Sequence, residues 1–182
     1  HRDEVNARAM ADPRLAGMDA RSMPFDARRM FWGGFRPFIG NPVLPTVQAY
    51  LFFRGRCEEA IDYYRSTLGA EVEELMRFRD APEMPADPMP PELADKVMHA
   101  TLRIGSASLM MSDGMKQGPL DFECMSLALP VATDAECDRL FEALAAEGTV
   151  QMPIGPTFFA RRFGAVADRF GVSWMIMVSA DR

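Results

Sequence analysis

The chain has 182 residues, with 20 lysines and arginines against 26 aspartates and glutamates and a net charge of −6. That length suits one ordinary domain plus an appendage, and a hydrophobic content of 48% suits a chain with a real core. The acidic balance, with no basic stripe to neutralise phosphates, argues against nucleic acid as a partner. No apolar run approaches the roughly 20 residues of a membrane span.

Three cysteines, Cys57, Cys124 and Cys137, form no C-x-x-C pair. An odd, unpatterned set points to a reduced, cytoplasmic setting. Methionine is frequent, at 15 residues; it fills irregular core gaps and suits adaptable apolar pockets.

Residues 1–45 differ from the rest. His1–Met10 predicts a charged helical fragment, and Arg28–Ile39 a strand interrupted by Gly33 and Gly34. Asn41–Pro45 carries two prolines and reads as a linker. One helix and one strand cannot bury a core alone. The pieces Asp12–Arg14, Ser22–Asp26 and Arg29–Phe35 resemble the C-terminal end of the small YbaA-like proteins, which have a ferredoxin-like, dimeric α/β-barrel fold. The resemblance implies a fusion whose first domain is truncated here.

From Val47 to Asp113, and again from Glu123 to Ser179, the chain repeats one pattern: strand, amphipathic helix, strand, loop, strand, turn, strand. A repeat at this scale fixes architecture before any single residue does. In the first copy Ala60, Ile61, Tyr64 and Leu68 share a helix face; in the second, Cys137, Leu140, Phe141 and Leu144 do so. Thr133 and Glu136 make a capping-box pattern. Gly69 and Gly148 mark the helix stops. The stretch from Asp80 to Asp95 holds Pro82, Pro85, Pro88, Pro90 and Pro91, so it is no strand or helix interior. Two such βαβββ units predict an α+β fold in which two open sheets enclose a pocket.

Three separated blocks, Tyr50–Glu71, His99–Asp113 and Thr157–Ile176, resemble the PhnB-like branch of the vicinal oxygen chelate (glyoxalase/bleomycin-resistance) superfamily. The resemblance covers nearly all of residues 46–179. It implies paired βαβββ modules (47–113 and 123–179, within a domain spanning 46–182), a ligand cavity and a homodimer. Many enzymes of the superfamily hold a divalent metal with His and Glu from the first and last strands of each module. Those positions fall here on Ala49 or Tyr50, Met110, Ser126 and Met175, none of them His, Asp or Glu. Thioethers are poor ligands for hard divalent ions. No cofactor is therefore expected at the familiar site, with a divalent metal at unfamiliar ligands left open.

His99 is the one histidine besides His1. It is a candidate general base or ligand-orienting donor, or else a hydrogen-bonded structural residue. Tyr50, Met110, Ser112, Ser126, Phe159, Trp174 and Met175 are candidate ligand-binding residues; for the aromatics, core packing is the competing reading. Asp113 and Asp168 read as turn residues, and Gly171 follows Asp168 in a hairpin. Cys124 and Ser126, placed on one strand face, lack a readable base partner. PhnB-like proteins are sometimes described as related to demethylubiquinone methyltransferases, yet no Gly-rich strand-to-helix loop for such a cofactor is present. The expected function is small-molecule binding without metal at the usual site. The alternatives are an enzyme (lyase, isomerase or dioxygenase type) using His99 or an unfamiliar metal site, and a dimeric interaction module with a vestigial pocket.

Overall fold

The computed structural model of the chain describes residues 47–81, 91–115 and 118–180. The appendage before Val47 and the proline-rich residues 82–90 lie outside the described residues. Among the described residues the elements run β1 (Ala49–Phe52), α1 (Cys57–Leu68), β2 (Glu71–Arg77), a 3-10 turn (Phe78–Asp80), α2 (Pro91–Ala94), β3 (Val97–Ile104) and β4 (Ala107–Ser112). The second module follows as β5 (Ser126–Pro130), α3 (Asp134–Ala145), β6 (Thr149–Gly155), β7 (Ala160–Ala167) and β8 (Ser173–Ser179). The described residues build two four-stranded sheets of the same order, β1-β4-β3-β2 and β5-β8-β7-β6. In each, the first strand lies parallel to the last and the other pairs are antiparallel. This is the doubled βαβββ fold that the repeat predicts.

The two long helices, α1 and α3, form where the sequence supplies both an apolar face and a defined end. α1 buries Cys57, Ala60, Ile61, Tyr63 and Tyr64. It stops at Gly69, whose φ of 68° is left-handed and costs a residue without Cβ little. α3 buries Cys137, Leu140, Phe141 and Leu144, and the Thr133 hydroxyl accepts from the Glu136 N–H at 3.2 Å. The α1 start is secured differently: the Asp113 carboxylate, from the end of β4, accepts the Cys57 N–H at 2.7 Å and the Val97 N–H at 2.8 Å. An anion at a helix N-terminus satisfies orphan donors and the helix dipole together. Pro91 opens α2, where a missing N–H costs nothing.

Strand alternation sorts the remaining side chains onto two faces. Leu51, Leu102, Leu109 and Met111 of the first sheet, and Val166, Trp174, Ile176 and Val178 of the second, join both helices in one buried cluster. The two modules meet there. Phe170, on the β7–β8 turn, packs edge-on against Phe53, Tyr63 and Tyr64, with ring centroids 5.6, 5.6 and 6.2 Å away. Such pairs are worth about 0.5–1.5 kcal/mol each beyond the area they bury.

Asp168 lies at the centre of this seam, 4% exposed. Its carboxylate accepts the Tyr64 hydroxyl at 2.7 Å, the Trp174 indole N–H at 3.0 Å, and the backbone N–H groups of Phe170 and Val172 at 2.9 and 3.0 Å. Burial, reinforced by the Asp168 charge, pushes the Tyr64 phenol well above its ordinary value, so it stays a donor. Asp168→Ala strands all four donors away from water, and each lost bond to a charged group is worth about 1.5–3 kcal/mol. The expected loss in urea unfolding is therefore more than about 3 kcal/mol; a change under about 1 kcal/mol would refute a central role for this carboxylate.

Candidate functional site

The faces turned away from the helices differ between the modules. Across the first sheet, Tyr50 pairs with Met110 and Met110 with Thr101. The Tyr50 hydroxyl lies 3.0 Å from His99 Nδ1, and His99 Nε2 lies 3.1 Å from Thr101 Oγ1. Each imidazole nitrogen of a neutral ring is either donor or acceptor, so the Tyr50–His99–Thr101 line holds one proton order or the reverse. Glu74 stands 3.9 Å from His99 Nε2. Burial lowers the His99 pKa, opposed in part by the Glu74 charge. Burial likewise pushes the Tyr50 phenol up to about 12. At neutral pH both groups are uncharged, so the line is a set of neutral hydrogen-bond donors and acceptors.

Tyr50 also lines one of two cavities that the described residues form. The first, of about 500 Å³, is lined by Tyr50, Phe52, Arg54, Gly114, Met115 and Phe122, among others. Tyr50 and Phe52 stack with centroids 5.0 Å apart. Gly114 makes the Phe52 wall possible: its φ is 64°, and a Cβ there would sit 2.9 Å from the Phe52 ring. The second cavity, of about 910 Å³, lies against the other sheet and is lined by Ser126, Gln151, Ser173 and Met175 together with the 119–125 connection. Asp121, Phe122 and Met125 line both.

The sequence candidates divide accordingly. Tyr50 lines the first cavity, and Ser126 and Met175 line the second. Met110 and Ser112 are buried on the first sheet, where Ser112 Oγ accepts the Gly114 N–H at 2.8 Å. Phe159 stands half-exposed beside Phe163, before β7. Trp174 is a correction: it faces the helices, 2% exposed, with its N–H on Asp168. Neighbours in a strand point to opposite faces, so Trp174 and Met175 cannot line one cavity. Cys124 is another, because it lies ahead of β5, exposed, with a φ of 63° that no strand residue adopts. Phe52, Phe122, Met125, Gln151 and Ser173 also line the cavities, beyond the residues the sequence singles out. Two-residue spacing from Tyr50 and from Met175 would have found Phe52 and Ser173. Nothing in the sequence marks Gln151 or the connection.

The superfamily's metal fits poorly here. Tyr50 and Met110 are register partners, but the partner of Met175 is Ala128, so Ser126 lies one row away. Phe53 and Val131 bond to the Ser112 and Met177 carbonyls in the same way, which makes Ala128 the counterpart of Tyr50. A row of Tyr, Met, Ala and Met offers no imidazole or carboxylate. Among the described residues no group of three or more His, Cys, Asp or Glu side chains converges.

The model of a family described as 3-demethylubiquinone-9 3-methyltransferase matches residues 45–177. The chain belongs to this family. It is 39% identical over 135 residues to protein YjdN of Escherichia coli K12, covering 71% of this chain and 92% of that one. A protein from Pseudomonas aeruginosa, PA1353, is 43% identical, covers 76% of this chain and 100% of its own, and superposes with a TM-score of 0.63. A putative 3-demethylubiquinone-9 3-methyltransferase, PhnB protein, from Bacillus cereus is 28% identical, covers 74% and 100%, and superposes at 0.61. At the level of fold alone, a glyoxalase/bleomycin resistance/dioxygenase domain from Frankia sp. EAN1pec covers 78% and 100% at 16% identity and a TM-score of 0.50. This PhnB-like chain thus has the vicinal oxygen chelate fold. Its helix starts are filled by its own Asp113 and Thr133 acceptors, unlike a nucleotide-binding fold, where the phosphate takes that place.

The His99 environment gives a pH signature. Its folded-state pKa lies below the ordinary 6.5, so the unfolded chain takes up a proton first as pH falls. The stability linked to neutral His99 is complete above pH 6.5 and declines below it, down to the folded value. An NMR titration of the His99 ring should show a midpoint below 6.5, moving lower still in Glu74→Gln. A midpoint above 6.5 in the unsubstituted protein would contradict this account.

Proposed function

We propose that this protein binds a partly apolar small molecule on the helix-free faces of its sheets, with no metal at the superfamily's usual positions, and works as a homodimer. The observation that carries the reading is the shared wall of Asp121, Phe122 and Met125 between two cavities. Apolar side chains with a few placed polar groups make up the usual small-molecule site. Phe52, Met115 and Met125 are large apolar residues left 46, 48 and 38% exposed, which is costly unless something covers them.

The neutral dye Nile red tests both parts. Its fluorescence should rise on titration with the protein and stay unchanged after dialysis against EDTA. Met125→Asp places a carboxylate in the shared wall and should weaken dye binding about tenfold. Dye binding that disappears with EDTA, together with a stoichiometric metal by elemental analysis, would reverse the metal-independent reading.

Support for the dimer comes from the family resemblance and from β2 and β6, which leave Val72, Leu75, Val150 and Met152 38–46% exposed. Sedimentation equilibrium of the full chain should give a dimer at micromolar concentration, and Leu75→Lys with Met152→Lys should give a monomer. A monomeric unsubstituted chain would rule the dimer out.

A further inference from the structure

The second cavity carries a hydrogen-bonded line of its own. The Ser126 hydroxyl donates to Ser173 Oγ at 2.8 Å, and the Ser173 hydroxyl donates to Gln151 Oε1 at 2.7 Å. A serine has one proton to give, so the line has a direction. Its Ser126 end presents oxygen lone pairs, and its Gln151 end presents amide N–H donors. Ser173, in the middle, is 7% exposed and fixes the order, while Ser126 and Gln151 are exposed to the cavity side. The charged lining residues are Asp121 and Glu123, both carboxylates. Phe122, Met125 and Met175 supply apolar wall.

We propose that this cavity recognises a neutral carboxamide carried on an apolar body. The inference rests on the reading of the protein as a small-molecule binder. A carboxamide gives its N–H to Ser126 Oγ and takes an N–H from Gln151 at its carbonyl, so both ends of the line are answered by one planar group. A carboxylate of the same shape has no proton for Ser126 and meets the Asp121 and Glu123 charges. An ammonium suits those charges but has no acceptor for the Gln151 donors, so it makes one hydrogen bond fewer than the carboxamide.

Three size-matched probes separate these cases: benzamide, benzoate and benzylammonium, each titrated into the full chain and followed by backbone amide NMR shifts. Benzamide should move the Ser126, Gln151 and Ser173 signals saturably, with a Kd at least about fivefold below those of the other two, as one lost hydrogen bond of about 1 kcal/mol would give. Gln151→Leu and Ser126→Ala, both at exposed positions, should each raise the benzamide Kd about three- to tenfold. Equal binding of benzamide and benzoate at these signals, tighter binding of benzylammonium, or an unchanged Kd in both variants would overturn the carboxamide assignment while leaving the cavity a binding site. If none of the three probes moves a signal from either cavity, and Nile red also fails to bind, the small-molecule reading falls with it.

Discussion

Asp168 and Tyr64 stand 104 positions apart, yet a 2.7 Å hydrogen bond joins them inside the core. Tyr64 belongs to the helix of the first module and Asp168 to the β7–β8 turn of the second. The same carboxylate holds Trp174 and closes its own turn through Phe170 and Val172. A buried charge is tolerable only when donors replace its lost water, and here four do so. The sequence distance matters as well. Each βαβββ unit is locally consistent, but only contacts across the seam fix one module against the other. Around the carboxylate Phe170, Tyr63, Tyr64 and Phe53 pack edge to face. Arg56 closes the rim, 4.6 Å above the Phe170 ring.

That seam also decides where the cavities lie. Phe122 packs on Phe53 with centroids 5.4 Å apart, which anchors the connection between the modules to the core. Asp121 and Met125, on the same connection, line both cavities. A wall held by an aromatic contact to the seam is positioned by the same interaction that orients the modules. Phe122 therefore belongs both to the seam and to the lining of the two cavities.

The fold was legible because the repeat, the helix periodicities and the Thr133 cap are local signals that agree with one another. The cavity side of each strand was less so. Alternation says that Trp174, Ile176 and Val178 share one face and Ser173, Met175 and Met177 the other, but not which of them meets the helices. Trp174 drew attention as an aromatic, while its burial follows from tertiary packing against Asp168 and Tyr64. Cys124 read as strand because EC-M-S continues an alternating run, yet its left-handed φ ends the run before β5. Gln151 is set apart only by its hydrogen bond from Ser173. Side chains brought together by pairing at long separation leave no mark in a single sequence.

The two copies of the module have parted in chemistry while keeping their geometry. The middle of each row is a methionine, Met110 or Met175, held by the same register. Around Met110 stand Tyr50 and Thr101, whereas around Met175 stand Ala128 and Ala165. The polar groups of the second sheet have moved one row along, to Ser126 and Ser173. A thioether makes a soft, polarizable floor that adapts to many shapes and discriminates little. For the ligand proposed above, discrimination then falls to the flanking polar lines, Tyr50–His99–Thr101 on one sheet and Ser126–Ser173–Gln151 on the other. The Ser126–Ser173–Gln151 line runs in one direction, set by the buried Ser173, whereas the Tyr50–His99–Thr101 line can run in either. The first sheet thus keeps Tyr50 and Thr101 beside its central methionine, while the second carries its serines one row along, next to Gln151.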